Sequence, residues 1–190
     1  MGQYEVIVIG VSAGGTHALS TILPILSENF PMPVIIVQHH TVEFDNFWVK
    51  HLDKLCKLNV IEATSNDQII SGKIYIAPGG YHLMIERENV FSLSVDAPVC
   101  YSIPSIDVLF ESAAYVYKEK LVGVILTGDN NDGSNGLKKI RELGGLTVVQ
   151  DPKTADTRHM PENAINIAGA DHILTLEDIG PFLMEISHVK

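Results

Sequence analysis

Residues 4–26 read YEVIVIGVSAGGTHALSTILPIL, and the fold turns on them. Tyr4 to Ile9 is a β-branched apolar run that stops at Gly10, as a strand buried on both faces does. The small residues of VSAGG then make a turn, and THALSTILPIL carries apolar residues at helical spacing until Pro24 and Pro31 discourage continuation. Strand, glycine turn, helix is the opening of an α/β domain.

Working outward, PVIIVQ is a second buried strand, and DNFWVKHLDKLCKL is a second helix with Phe47, Leu52 and Leu55 on one face. NVIEA suits a short third strand. The middle changes character: KIYIAPGGYHLMI and NVFSLSV alternate around Gly79-Gly80 and Glu88-Asn89, which predicts antiparallel hairpins. A helix is then expected from Pro104 to about Lys118, with proline in its first turn. LVGVILT, SNGLKKIREL, LTVVQ, a helix from Pro161, HILTL and a last helix resume the alternation. The expectation is a doubly wound, mostly parallel sheet with an antiparallel hairpin insertion, spanning residues 1–190 as one domain.

Composition narrows the function. With 13 basic residues against 23 acidic ones the formal charge is -10, which repels a phosphate backbone, so no nucleic-acid partner is expected. The apolar runs are far shorter than the ~18 residues needed to cross a bilayer. No membrane insertion is expected, Val6 stands where a myristoylation signal on Gly2 wants Ser or Thr, and the expected location is the cytoplasm. Cys56 and Cys100 are too few for a disulfide framework and are read as reduced, structural thiols.

In doubly wound sheets ligands sit beyond the carboxyl ends of the strands. Those ends hold Gly10-Val11-Ser12-Ala13-Gly14-Gly15, then Gln38-His39-His40, then Thr127-Gly128-Asp129-Asn130-Asn131-Asp132-Gly133. The first fits G-x-S-x-G, a turn that lifts a serine out of the sheet. A histidine within reach can take the proton of Ser12, and a carboxylate can hold that imidazole in the right tautomer. Plainer readings exist for each group: an anion-binding or helix-capping turn for Ser12, a buried hydrogen-bonded ring for His39, and a helix cap for Asp132. Dinucleotide binding is disfavoured, because Ser12 takes the middle glycine position and no acidic residue ends the second strand. A metal is disfavoured too, since His39 and His40 would point to opposite sides and no H-E-x-x-H or C-x-x-C pattern is present. His82, His159 and His172 read as surface or loop histidines, the first two also as pocket-wall candidates.

Six segments, IGVSAGG, IIVQH, YIAPGGYH, PSIDVLFESAA, GVILTGDNNDGSNGL and QDPKTADTRHMPENAI, resemble in order and interval the catalytic domain of the CheB protein-glutamate methylesterases. The resemblance implies a Ser-His-Asp hydrolase, with glutaminyl deamidase activity, acting on glutamyl methyl esters of chemoreceptor cytoplasmic helices. By position it implies Ser12 as nucleophile, His39 as base and Asp132 as orienting acid, with backbone N–H groups of Ala13 and Asp129 as oxyanion donors. No metal or cofactor is called for. His40 falls where the family usually has Met and is not chosen. No receiver domain is expected ahead of the first strand, and control by a separate response regulator is one expectation.

Three places in the chain depart from the family's pattern. Asp129 and Asn130 replace Met and Gly, CYSI precedes PSID where Asn, Arg and His are usual, and His159 stands where Gly is usual. A carboxylate ~4 Å from a forming oxyanion opposes it by about 4 kcal/mol at an effective dielectric near 20, so Asp129 is expected to point to solvent. The alternatives are an esterase for another substrate or a catalytically weakened receptor-binding module.

Overall fold

The computed structural model describes residues 3–39 and 45–188. Strand β1 (Val6–Val11) is buried at all six positions, which is why its sequence shows no polar alternation. It is followed by α1 (Gly15–Ile22), a 3-10 turn at Leu23–Ile25, β2 (Val34–Gln38), α2 (Asp45–Leu55), β3 (Asn59–Glu62) and β4 (Lys73–Ile76). Next come β5 (His82–Ile85), β6 (Phe91–Ser94), α3 (Ile106–Tyr117), β7 (Leu121–Ile125), α4 (Ser134–Glu142), β8 (Leu146–Gln150), α5 (His159–Ala168), β9 (His172–Leu174) and α6 (Leu176–Ile186).

Seven strands form one sheet in the order β3-β4-β2-β1-β7-β8-β9. Every pairing in it is parallel. Helices α1, α2 and α6 cover one face, around Leu19, Ile22, Leu52, Ile179 and Leu183. The other face carries α3, α4, α5 and the β5–β6 hairpin, around Leu83, Phe91, Phe110, Leu137 and Met160. The chain builds outward from β1 through β2 and returns to pair β7 on the other side of β1. That reversal puts a topological switch point at the carboxyl ends of β1 and β7, the edge where ligands bind in sheets of this kind.

Five expectations need correction. The Gly79-Gly80 segment closes no hairpin: β4 joins the parallel sheet between β2 and β3, and among the described strands only β5 and β6 pair antiparallel. Inter-strand partners, which alternation along one strand does not encode, decide this. On α2 the buried positions are Trp48 and Leu52, whereas Phe47 is 80% exposed and Leu55 43%. The Trp48 indole N–H donates to Gln38 Oε1 at 2.7 Å, which turns that edge of the helix inward. Pro104 precedes α3 rather than filling its first turn, because Ser105 is the cap and its Oγ accepts from Val108 N–H. His82 is a buried residue of β5, its Nδ1 accepting from Ser105 N–H at 3.1 Å and its Nε2–H donating to Ala97 O at 3.2 Å. His172 opens β9 and lies against the Phe182 ring. Residues Gly2 and His40, weighed in the sequence, lie outside the described residues.

Candidate active site

Backbone bonds lace the strand ends together before any side chain contributes. Ser12 N–H donates to Thr127 O at 3.0 Å, His39 N–H to Val11 O at 3.1 Å and Leu126 N–H to Gly10 O at 3.0 Å. Thr127 N–H is held by Gln150 Oε1 at 2.9 Å, and its hydroxyl donates to Ala13 O at 2.8 Å. Ser12 is thus fixed on the turn between β1 and α1. Gly14 caps that helix with φ +82, and a Cβ there would lie 2.7 Å from Asp156 Cβ, so glycine is required.

Across this edge the His39 ring bridges two groups. Its Nδ1 is 3.2 Å from Ser12 Oγ, and its Nε2 is 2.7 Å from Asp132 Oδ2. A carboxylate only accepts, so Nε2 carries the proton and Nδ1 presents its lone pair to the serine. Asp132 is fully buried. Its Oδ1 accepts from Ser105 Oγ at 2.8 Å, Asp107 N–H at 3.0 Å and Gly133 N–H at 3.0 Å. Its Oδ2 accepts from Ile106 N–H at 2.7 Å besides His39. The carboxylate therefore sits at the amino end of α3, where the free N–H groups and helix dipole favour a negative charge. Burial pushes its pKa up, but the bonds from His39, Asp107 and Ile106 outweigh burial and leave it below the usual carboxylate value.

Sequence reasoning missed several neighbours. Asn130 Oδ1 accepts from Asp132 N–H at 3.1 Å, which turns its amide nitrogen toward His39 Nδ1 at 3.3 Å. Ser102 Oγ lies 3.4 Å from the same nitrogen. Ser102 is presented by a turn in which Cys100 and Tyr101 both take positive φ, bridged by Val99 and Ser102. Ser105 was detectable as a Ser-before-helix cap and Asn130 as a turn residue two positions before Asp132, but the reach of Asn130 and Ser102 to His39 spans contacts distant in sequence that left no local signal. Ala13 and Asp129 flank the same edge, and among the described residues neither backbone N–H has a hydrogen-bond acceptor. The Asp129 carboxylate is 65% exposed and bound to His159, as the solvent-facing expectation required.

Cys100, Asp107 and Asp132 offer ligand atoms within 4.8 Å of one another. Asp132 already receives five donors, so its oxygens serve hydrogen bonds and not a cation. Both cysteines are free, and burial, with Asp53 nearby, pushes Cys56 up to about 11, far from a reactive thiolate. No described helix is long and apolar enough to cross a membrane.

A family model described as CheB methylesterase matches residues 7–183. A curated relative from Leptospira interrogans is 51% identical over 184 residues, covering 97% of this chain and 95% of that one. A protein-glutamate methylesterase/protein-glutamine glutaminase of Symbiobacterium thermophilum is 37% identical over 175 residues, covering 92% of this chain and 48% of that relative. The chain thus spans about half the length of the latter. Among solved structures, the crystal structure of the Thermotoga maritima CheB methylesterase catalytic domain superposes with a TM-score of 0.93 at 34% identity, covering 96% of this chain and 98% of that one.

Proposed function

This chain belongs to the CheB methylesterase family, and from that premise we propose that it hydrolyses glutamyl methyl esters on the cytoplasmic helices of chemoreceptors, through an acyl-enzyme on Ser12. The observation that carries the reading is the His39 ring held between Ser12 Oγ at 3.2 Å and Asp132 Oδ2 at 2.7 Å. As Ser12 Oγ attacks the ester carbonyl, its proton passes to His39 Nδ1. The imidazolium so formed is stabilised by Asp132, a buried carboxylate already held ionised by its own donors. Charge developing on the carbonyl oxygen is met by the backbone N–H groups of Ala13 and Asp129, whose lack of other acceptors supports this role.

Collapse of the tetrahedral adduct breaks the bond to methoxide, which takes the proton from Nδ1 and leaves as methanol. Water then attacks the acyl-enzyme with His39 again as base, giving the glutamate carboxylate and free Ser12. With a glutamine side chain the same sequence releases ammonia, so deamidation needs no further residue.

The test is methanol release from a methylated receptor cytoplasmic fragment. The expected result is release by the wild type and none above background from Ser12→Ala. Hydrolysis of small esters without any release from the receptor fragment would contradict the substrate assignment and favour another ester.

A further inference from the structure

Asp129 carries a carboxylate on the same residue whose N–H is assigned to the oxyanion. A free carboxylate beside a forming oxyanion works against the donors around it. Here it is engaged elsewhere: Asp129 Oδ1 lies 2.5 Å from His159 Nδ1. Because a carboxylate only accepts, Nδ1 carries the proton and the imidazole donates.

The ring is delivered by the backbone on both sides of it. Gly128 N–H donates to Thr157 O at 3.0 Å, and Met160 N–H returns to Gly128 O at 2.9 Å. These bonds clamp residues 157–160 against the residue next to Asp129, with His159 as the first residue of α5. A Cβ at Gly128 would lie 2.4 Å from the Met160 methyl, so the approach of the two segments is close. The two side chains are 61% and 65% exposed, and pairs this exposed add little to folding stability. What the contact does determine is where the Asp129 carboxylate points.

We infer that His159 is a positioning residue for the hydrolysis: it holds the Asp129 carboxylate away from the oxyanion, so that the Asp129 N–H is not offset by its own side chain. The inference rests on the acyl-transfer reading above. His159 touches no substrate in this account, and its loss acts on the charge of the transition state and not on ester binding.

Phosphonylation of Ser12 by an uncharged alkyl fluorophosphonate reads this step without a receptor. Ser12 Oγ displaces fluoride as the O–P bond forms, the serine proton goes to His39, and the phosphoryl oxygen draws on the same donors. At low ionic strength His159→Ala is expected to slow the second-order rate about tenfold, and the deficit to shrink at roughly 0.5 M salt as the freed carboxylate is screened. His159→Gln, which keeps an N–H donor, stays near the wild-type rate. Adding Asp129→Asn to His159→Ala restores the rate to within about twofold, because the charge is gone. Equal rates for wild type and His159→Ala, or a double variant as slow as the single one, overturn the inference while leaving the Ser12 chemistry standing. Folded wild-type protein that never labels overturns the acyl-transfer reading, and the inference falls with it.

Discussion

Asp107 and Asp132 are buried carboxylates at the amino end of α3 whose pKa values are shifted in opposite directions. Asp132, held below its ordinary value, contributes stability above the unfolded-state pKa that is lost as pH falls through the folded one. Asp107 is pushed up to about 6, by burial first and by the nearby Asp132 charge, against the lowering bond from Gly136 N–H. Its folded form holds the proton longer than the unfolded chain does, so ionising it costs stability as pH rises from about 4 to about 6. Asp107→Asn keeps an acceptor for Gly136 N–H and removes that cost. Relative to wild type, the variant should gain stability on the order of 3 kcal/mol between about pH 4 and pH 7.5, read by urea unfolding at both. A wild-type-to-variant difference that does not change with pH would contradict the assignment. At this scale the sequence told unevenly. Ser12, His39 and Asp132 were legible because each follows a buried strand. The bonds of Ser105 to Asp132, Asn130 to His39 and Ser102 to His39 were not, since those partners lie 27, 91 and 63 positions away. His82 misled because a polar residue beside a glycine pair reads as loop, while its two ring nitrogens are satisfied inside the core.

Helix α2 shows what periodicity can and cannot say about an element. Two apolar stripes overlap on it, one through Phe47 and Leu55 and one through Trp48, and both share Leu52. The chain buries the second, where an indole larger than a phenyl is covered and its N–H finds Gln38. Leu52→Ala should therefore cost about 2–5 kcal/mol, while Leu55→Ala should stay within about 1 kcal/mol, in denaturant melts of the two variants. Equal costs would put the helix in the other orientation. The existence and type of the β/α elements were readable, because buried parallel strands and amphipathic helices carry different periods. Strand pairing was not: Lys73–Ile76 alternates as a hairpin strand would, yet β2 and β3 take it as a parallel neighbour. The cap of α4 is Gly133, one residue beyond the Asp132 that the sequence offered. It caps α4 at φ +89, and a Cβ would meet Ile106 and Ile125 side chains at 2.6 Å, so the loop that presents Asp132 depends on it.

For the molecule as a whole, the sheet order matters more than any one element. Because β1 lies between β2 and β7, three loops widely separated in sequence open on one edge. Charge acts at this scale too: a formal -10 disfavours phosphate backbones. The doubly wound architecture was legible from the alternation of elements, and with it the edge to search; the reach of Asp129 to His159 was not, because it needs the packing of α5 against the Gly128 loop. The central claim is that Ser12, His39 and Asp132 act as one unit at that edge. The most direct test is peptide mass mapping after fluorophosphonate treatment of wild type, Ser12→Ala and His39→Ala. A single adduct on Ser12, absent from Ser12→Ala and slowed by roughly 10³-fold or more in His39→Ala, is the predicted outcome. An adduct on Ser102 instead, or labelling of Ser12 at an undiminished rate without His39, would contradict it.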